Sequence, residues 1–152
     1  MEQFKTIGGI IDYAIALEHQ AAELYQKLAD QEVDGAKRDM MLGFVAEELG
    51  HKRRLQGLKA KAHIAAVSEK APNLQFQDHF LGVHPKPHMS YRETLIFAME
   101  CEKSTIRLYL DFAENSSLAP IKDLFRALAK EEEKHSHRFE QLYHAAPRED
   151  FS

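Results

Sequence analysis

Glu47-Glu48-Leu49-Gly50-His51-Lys52-Arg53-Arg54-Leu55 returns 84 residues later as Glu131-Glu132-Glu133-Lys134-His135-Ser136-His137-Arg138-Phe139. Both copies set a glutamate and a histidine three positions apart, behind a second glutamate. The same offset lays residues 14–58 over 98–142 without a gap. It matches Ala14 with Ala98, Glu18 with Glu102, Leu24 with Leu108, Tyr25 with Tyr109 and Ala29 with Ala113. Asp39 and Asp123, Arg54 and Arg138, and Leu58 and Leu142 also match. Helix propensity accounts for recurring Ala and Leu but not for Glu, Tyr and His held in phase. The chain is therefore read as two related halves.

Working outward, apolar residues recur at steps of three and four, the period of a helix face. The spacing predicts helices over about Thr6–Asp30, from Gly35 into the sixties, over Ser90–Glu114, and from near Ser117 to before Pro147. Ser90-Tyr91-Arg92-Glu93 reads as a capping box, and Pro120 is tolerable in a first turn. Short connections make each pair an antiparallel hairpin. Between the pairs lies a proline-bearing stretch with Pro72, Pro85 and Pro87. At ~3.3–3.6 Å per residue it can run the length of a bundle. The expectation is an all-α, ferritin-like four-helix bundle with internal pseudo-twofold symmetry, in one domain: hairpin 6–67, crossover 68–89, hairpin 90–146. Two domains joined by a linker are the weaker alternative, because neither hairpin alone can hide its apolar stripe.

Polar residues interrupt those stripes at fixed places. The first helix reads Ile11, Ile15, Glu18, Ala22, Tyr25, Ala29, and the third reads Leu95, Met99, Glu102, Ile106, Tyr109, Ala113. The second reads Met41, Phe44, Glu48, His51, Leu55, Leu58, and the fourth reads Phe125, Leu128, Glu132, His135, Phe139, Leu142. An uncompensated buried ion costs several kcal/mol, against a total stability of only ~5–15 kcal/mol. Four buried carboxylates with no Lys or Arg in the stripes demand cations. Two divalent ions balance four carboxylates, and two neutral imidazoles complete a ligand set. A glutamate from each of two helices plus Glu-x-x-His from each of the others is the di-iron or di-manganese carboxylate pattern. The energy argument itself requires only cations: iron and manganese suit these ligands, and zinc could also occupy them. One Glu-x-x-His alone is usually a solvated pair. Two copies, each 30 residues after a glutamate in an apolar stripe, reverse that reading.

Composition bounds the rest. The chain has 152 residues, a formal net charge of −4 and one cysteine, Cys101. That count excludes an internal disulfide and a four-cysteine metal site. The acidity gives no basic footprint for nucleic acid. No apolar run is long enough to span a membrane, and the N-terminus does not read as a secretion signal, so a cytoplasmic protein is expected. Tyr25 and Tyr109 are either core aromatics or hydroxyl donors to the ligand carboxylates, the second being favoured. Glu47 and Glu131 either hold an imidazole N–H across the bundle or face water. Glu23, Glu100, Glu133 and His137 fall off the stripes, onto the surface. His79, His84 and His88 in the crossover have no ligand geometry legible from sequence. Cys101 shares a row with Ala98, Thr105 and Leu108 and is expected to be a small core residue.

These residues resemble the rubrerythrin branch of the ferritin-like superfamily along essentially the whole chain. The resemblance rests on Glu18, Glu48-Leu49-Gly50-His51, Glu102, Glu132-Glu133-Lys134-His135, Tyr25 and Tyr109. It implies a pair of iron ions, with Glu48 and Glu132 bridging and Glu18, His51, Glu102 and His135 terminal. It also implies a peroxidase or ferroxidase acting on hydrogen peroxide or dioxygen. The alternatives are an iron-binding or iron-delivery module without turnover, and a metal-free helical scaffold. The chain departs from the family in three ways. It lacks a rubredoxin domain, so a separate electron-donor protein is expected. Thr105 stands where rubrerythrins place an extra glutamate, which puts their typical peroxidase mechanism in doubt. Leu49 replaces the haem-binding methionine of the similar bacterioferritins. Little chain follows the fourth helix, so a homodimer or other small homo-oligomer is expected rather than a storage cage.

Overall fold

The computed structural model describes residues 4–61, 69–72, 74, 83 and 85–147. They form helices α1 (Ile7–Gln31), α2 (Gly35–Lys61), α3 (Tyr91–Asn115) and α4 (Ala119–Ala145). Local chemistry sets the ends. Thr6 caps α1, its hydroxyl accepting from the Gly9 N–H at 3.0 Å. At the start of α3 the expected capping box is complete. Glu93 N–H donates to Ser90 Oγ at 3.1 Å, and Ser90 N–H donates to Glu93 Oε1 at 3.2 Å. Such a box satisfies two backbone donors that an unprotected helix end would leave open. Pro120 lies in the first turn of α4, where its missing N–H costs nothing.

Residues 32–34 and 116–118 make the two tight connections, so α1 packs along α2 and α3 along α4. The hairpins then meet through α1 against α3 and α2 against α4. This is the ferritin-like arrangement of four helices. The start of the crossover is tied to the start of α1: Ile7 N–H donates to the Glu69 carbonyl at 3.0 Å, and Ala71 N–H to the Lys5 carbonyl at 3.1 Å. Its far end is fixed by Arg92, which donates to the Tyr143 and Ala146 carbonyls, both at 3.0 Å, and lies over the Tyr143 ring. His79 and His84 lie outside the described residues. His88 is exposed, at a positive φ of 67°.

The core is divided. One apolar cluster gathers Ile10, Ile11 and Ala14 of α1 with Leu55, Phe112, Phe125 and Leu128. The other gathers Tyr25 and Leu28 with Met41, Leu95, Ala98 and Phe139. Between them lies a layer of buried ionisable side chains, sealed at both ends by hydrocarbon.

Candidate metal centre

Helical periodicity delivers all six expected ligand residues to this layer. Glu18, Glu48, Glu102 and Glu132 are at most 2% exposed, and His51 and His135 are 4% and 3% exposed. They form two overlapping groups: Glu18, Glu48, His51 and Glu132, and then Glu48, Glu102, Glu132 and His135. Within each group one donor atom per residue lies within 4.8 Å of all the others. Glu48 and Glu132 belong to both, as carboxylates shared between two ion positions would.

The imidazoles reach across the pseudo-twofold axis. His51 Nδ1 lies 2.7 Å from Glu132 Oε1 and 3.8 Å from Glu48 of its own helix. His135 Nδ1 lies 2.7 Å from Glu48 Oε1 and 3.6 Å from Glu132. Each histidine is thus nearer the glutamate of the opposite hairpin. The His135–Glu48 approach lacks hydrogen-bond alignment, and His135 Nδ1 and both Glu48 oxygens have no hydrogen-bond partner among the described residues. Glu18 Oε2, Glu102 Oε2 and Glu132 Oε2 are also buried without one. A buried polar atom without a partner is costly. Here five carboxylate oxygens and an imidazole nitrogen converge. The donor set fits divalent cations, and the orphaned atoms are the ones such ions would satisfy.

Electrostatics report the same strain. Burial, reinforced by the Glu132 charge, pushes the Glu18, Glu48 and Glu102 carboxyls above their ordinary range, Glu48 and Glu102 strongly. Burial also opposes ionisation of Glu132, but the neighbouring Glu102, His135 and His51 side chains outweigh it and hold this carboxyl below the usual range. For His51, burial disfavours the cation, yet Glu132 and Glu18 overcome it and raise its pKa to about 10. His135 is raised too, by Glu132 and Glu47 against burial. Without metal, protons are the cations this layer can recruit.

The surroundings break the symmetry of the repeat. Tyr109 donates to Glu18 Oε1 at 2.8 Å. Tyr25, its counterpart, is fully buried against Phe44, Phe139 and the His135 ring, and its hydroxyl has no partner among the described residues. Of the two tyrosines favoured as donors to ligand carboxylates, only Tyr109 makes that bond. Glu47, although mostly exposed, reaches His135 Nε2 at 2.5 Å. Glu131 Oε2 stays 3.6 Å from His51 Nε2 and takes an Arg54 N–H at 2.6 Å instead. Glu47 thus holds an imidazole nitrogen across the bundle, whereas Glu131 is held by Arg54, and both carboxylates remain partly exposed. Cys101 departs from expectation. It is half-buried beside a cavity, not in the core, and burial pushes its thiol up to about 12. Glu23, Glu100, Glu133 and His137 are exposed as expected. What sequence missed was the anchoring of Glu131 by Arg54, although the matched pair Arg54 and Arg138 was a signal for it.

Comparison with known proteins agrees with the fold. Residues 93–150, spanning α3 and α4, match the Rubrerythrin family model. No curated protein matches the chain significantly. Among solved structures, a ferritin-like diiron-carboxylate protein of Thermotoga maritima shares the fold at a TM-score of 0.76 and 17% identity, over 95% of this chain and 98% of that one. An uncharacterised conserved protein of Magnetospirillum magnetotacticum follows at 0.69 and 21%, over 94% and 97%. A hypothetical protein of Pyrococcus furiosus gives 0.69 and 23%, over 91% and 88%. No described helix is long and apolar enough to cross a membrane.

Proposed function

From a chain that is rubrerythrin-like in its second hairpin and ferritin-like in fold, we propose a non-haem di-iron oxidoreductase that reduces hydrogen peroxide or dioxygen. The observation that carries the reading is the pair of overlapping buried ligand groups that share Glu48 and Glu132. Glu18 and His51 complete one ion position, and Glu102 and His135 the other. Manganese or zinc would satisfy the same donors; zinc has no redox chemistry, and iron is proposed over manganese on the likeness of the second hairpin to the Rubrerythrin family model. Held by Glu18, Glu48, His51, Glu102, Glu132 and His135, two iron ions would supply two electrons to the oxidant, to be returned by a separate donor protein.

The chain's own residues prepare that chemistry. Glu47 accepts the Nε2 proton of His135, which leaves the Nδ1 lone pair facing the shared carboxylates. Tyr109 holds the Glu18 carboxylate in one orientation. The apolar clusters on either side exclude bulk water, so the carboxylates keep their full attraction for cations. The chain is proposed to work as a homodimer or other small homo-oligomer. The test is anaerobic loading with Fe(II), then mixing with each oxidant while following the ferric absorbance. Oxidation by at least one oxidant faster than that of free iron is expected. Rates no faster than free iron with both would end the proposal.

A second reading, iron delivery without turnover, is favoured by one observation. Glu47 is 58% exposed yet touches a buried imidazole, a path along which an ion could pass from solvent. It predicts reversible loading and transfer to a chelator, with no repeated consumption of oxidant when a reductant is supplied.

A further inference from the structure

Each buried histidine turns its Nε2 toward a solvent-facing glutamate of the opposite hairpin, and the two glutamates differ in charge balance. Beside His51, Glu131 Oε2 lies 3.6 Å from Nε2 and takes an Arg54 N–H at 2.6 Å, so a guanidinium stands at that edge. Beside His135, Glu47 Oε2 lies 2.5 Å from Nε2. The 84-residue offset makes Arg138 the counterpart of Arg54 there. Arg138 does not pair with Glu47. It donates instead to Met40 Sδ at 3.1 Å and to Gln141 Oε1 at 2.9 Å. Glu47, 58% exposed, forms no ion pair with a lysine or arginine among the described residues. A divalent cation approaching His51 thus meets a neutralised carboxylate and a guanidinium. Approaching His135, it meets an uncompensated negative charge.

We propose that divalent ions enter and leave the centre past Glu47 and not past Glu131. The Glu102–His135 position is then the exchangeable one, and the Glu18–His51 position loads through it. The inner carboxylates fit this order. Glu18, at the far position, is held by Tyr109 at 2.8 Å. Glu102, next to the entrance, has Tyr25 as its counterpart, whose hydroxyl bonds to nothing among the described residues, so no tyrosine fixes that carboxylate. Entry on this side rests on the reading of the layer as a two-ion centre; neither iron nor turnover is needed.

The test uses the full chain, freed of metal by chelation and mixed rapidly with Zn(II) while a zinc-sensitive dye follows the free ion. Release is then followed with an excess of a colour-forming chelator. The unsubstituted chain should take up two zinc ions and release them in two steps, one ion in each. Glu47→Gln keeps an acceptor for the His135 N–H but removes the charge. It should slow uptake about five- to tenfold and weaken the dependence of the uptake rate on salt, as one charge acting on a divalent ion a few ångströms away does. Glu131→Gln should leave uptake within about twofold. Arg54→Ala exposes an unpaired carboxylate on the closed side and should speed the slower release step at least about fivefold, whereas Arg54→Lys should keep it slow. Exposed ion pairs contribute little to stability, so metal-free melting temperatures should fall by no more than about 4 °C. If Arg54→Ala fails to fold, the contrast between Glu47→Gln and Glu131→Gln still decides. Equal slowing by those two variants, or uptake indifferent to Glu47→Gln, would overturn the proposal and leave the two-ion reading standing. A chain that binds no Zn(II) would overturn both.

Discussion

Tyr25 and Tyr109 occupy equivalent places in the repeat, yet only one has work for its hydroxyl in the metal-free chain. Tyr109→Phe strips a hydrogen bond from a buried carboxylate, which costs about 1–3 kcal/mol. For a domain of this size each kcal/mol lowers the melting temperature by about 2–4 °C. Tyr25→Phe, whose hydroxyl bonds to nothing described, should leave the melting temperature within about 1 °C. Thermal melts of both variants check the contrast, and equal losses would contradict it. Glu48 makes a sharper case. Both its oxygens lack hydrogen-bond partners among the described residues, and burial raises its carboxyl. Glu48→Gln should therefore leave the metal-free chain as stable or more stable, while lowering metal uptake. A large loss of stability in metal-free protein would mean that Glu48 is compensated in some other way. At this scale the sequence was unusually legible. A glutamate in an apolar stripe must be buried, and its repeat 84 residues on makes accident untenable. Periodicity cannot report which oxygen finds a donor, so the difference between Tyr25 and Tyr109 needed coordinates.

The four helices depend unequally on the centre. The fully buried residues of α2 are Met41, Glu48, His51 and Leu55, so half of its buried set is ionisable. In α4, Glu132 and His135 sit among Ile121, Phe125, Leu128, Ala129, Phe139 and Leu142. The apolar contacts of α4 hold it in place whatever occupies the site, whereas α2 needs its charges neutralised. Hydrogen exchange should therefore be fastest in α2 in the chelated protein, and metal loading should protect α2 more than α4. Equal protection in the two helices would show that metal does not anchor α2. Helix existence, hairpin pairing and the Ser90 capping box could all be read from residue spacing. The ends were less legible: α4 begins at Ala119 rather than near Ser117, and its N-cap Leu118 makes no side-chain cap bond that a sequence pattern could signal.

For the whole molecule, the formal charge of −4 is misleading as a surface property. Glu18, Glu48, Glu102 and Glu132 lie inside, so the acidity that matters faces inward. Its pH dependence has a definite sign. The carboxyls of Glu18, Glu48 and Glu102 and the imidazoles of His51 and His135 all have raised folded-state pKa values. A raised group contributes stability below its unfolded pKa and loses it as pH climbs through the folded value. Metal-free protein should accordingly weaken as pH rises toward the His51 value of about 10. Glu132, held low, acts oppositely, and its contribution fades only in strong acid. Metal displaces the recruited protons, so the gain in melting temperature on loading should widen between about pH 6 and about pH 8.5. A constant gain would mean that protons and metal do not compete for the site.

The central claim is that Glu48 and Glu132 join two ion positions. It is tested most directly by metal analysis of the purified chain, the Glu48→Gln variant and the Glu132→Gln variant. The account predicts two transition-metal ions per chain, falling to one or fewer in either variant. Wild-type protein that binds no ion after incubation with Fe(II), Mn(II) or Zn(II), or variants that still bind two, would contradict it.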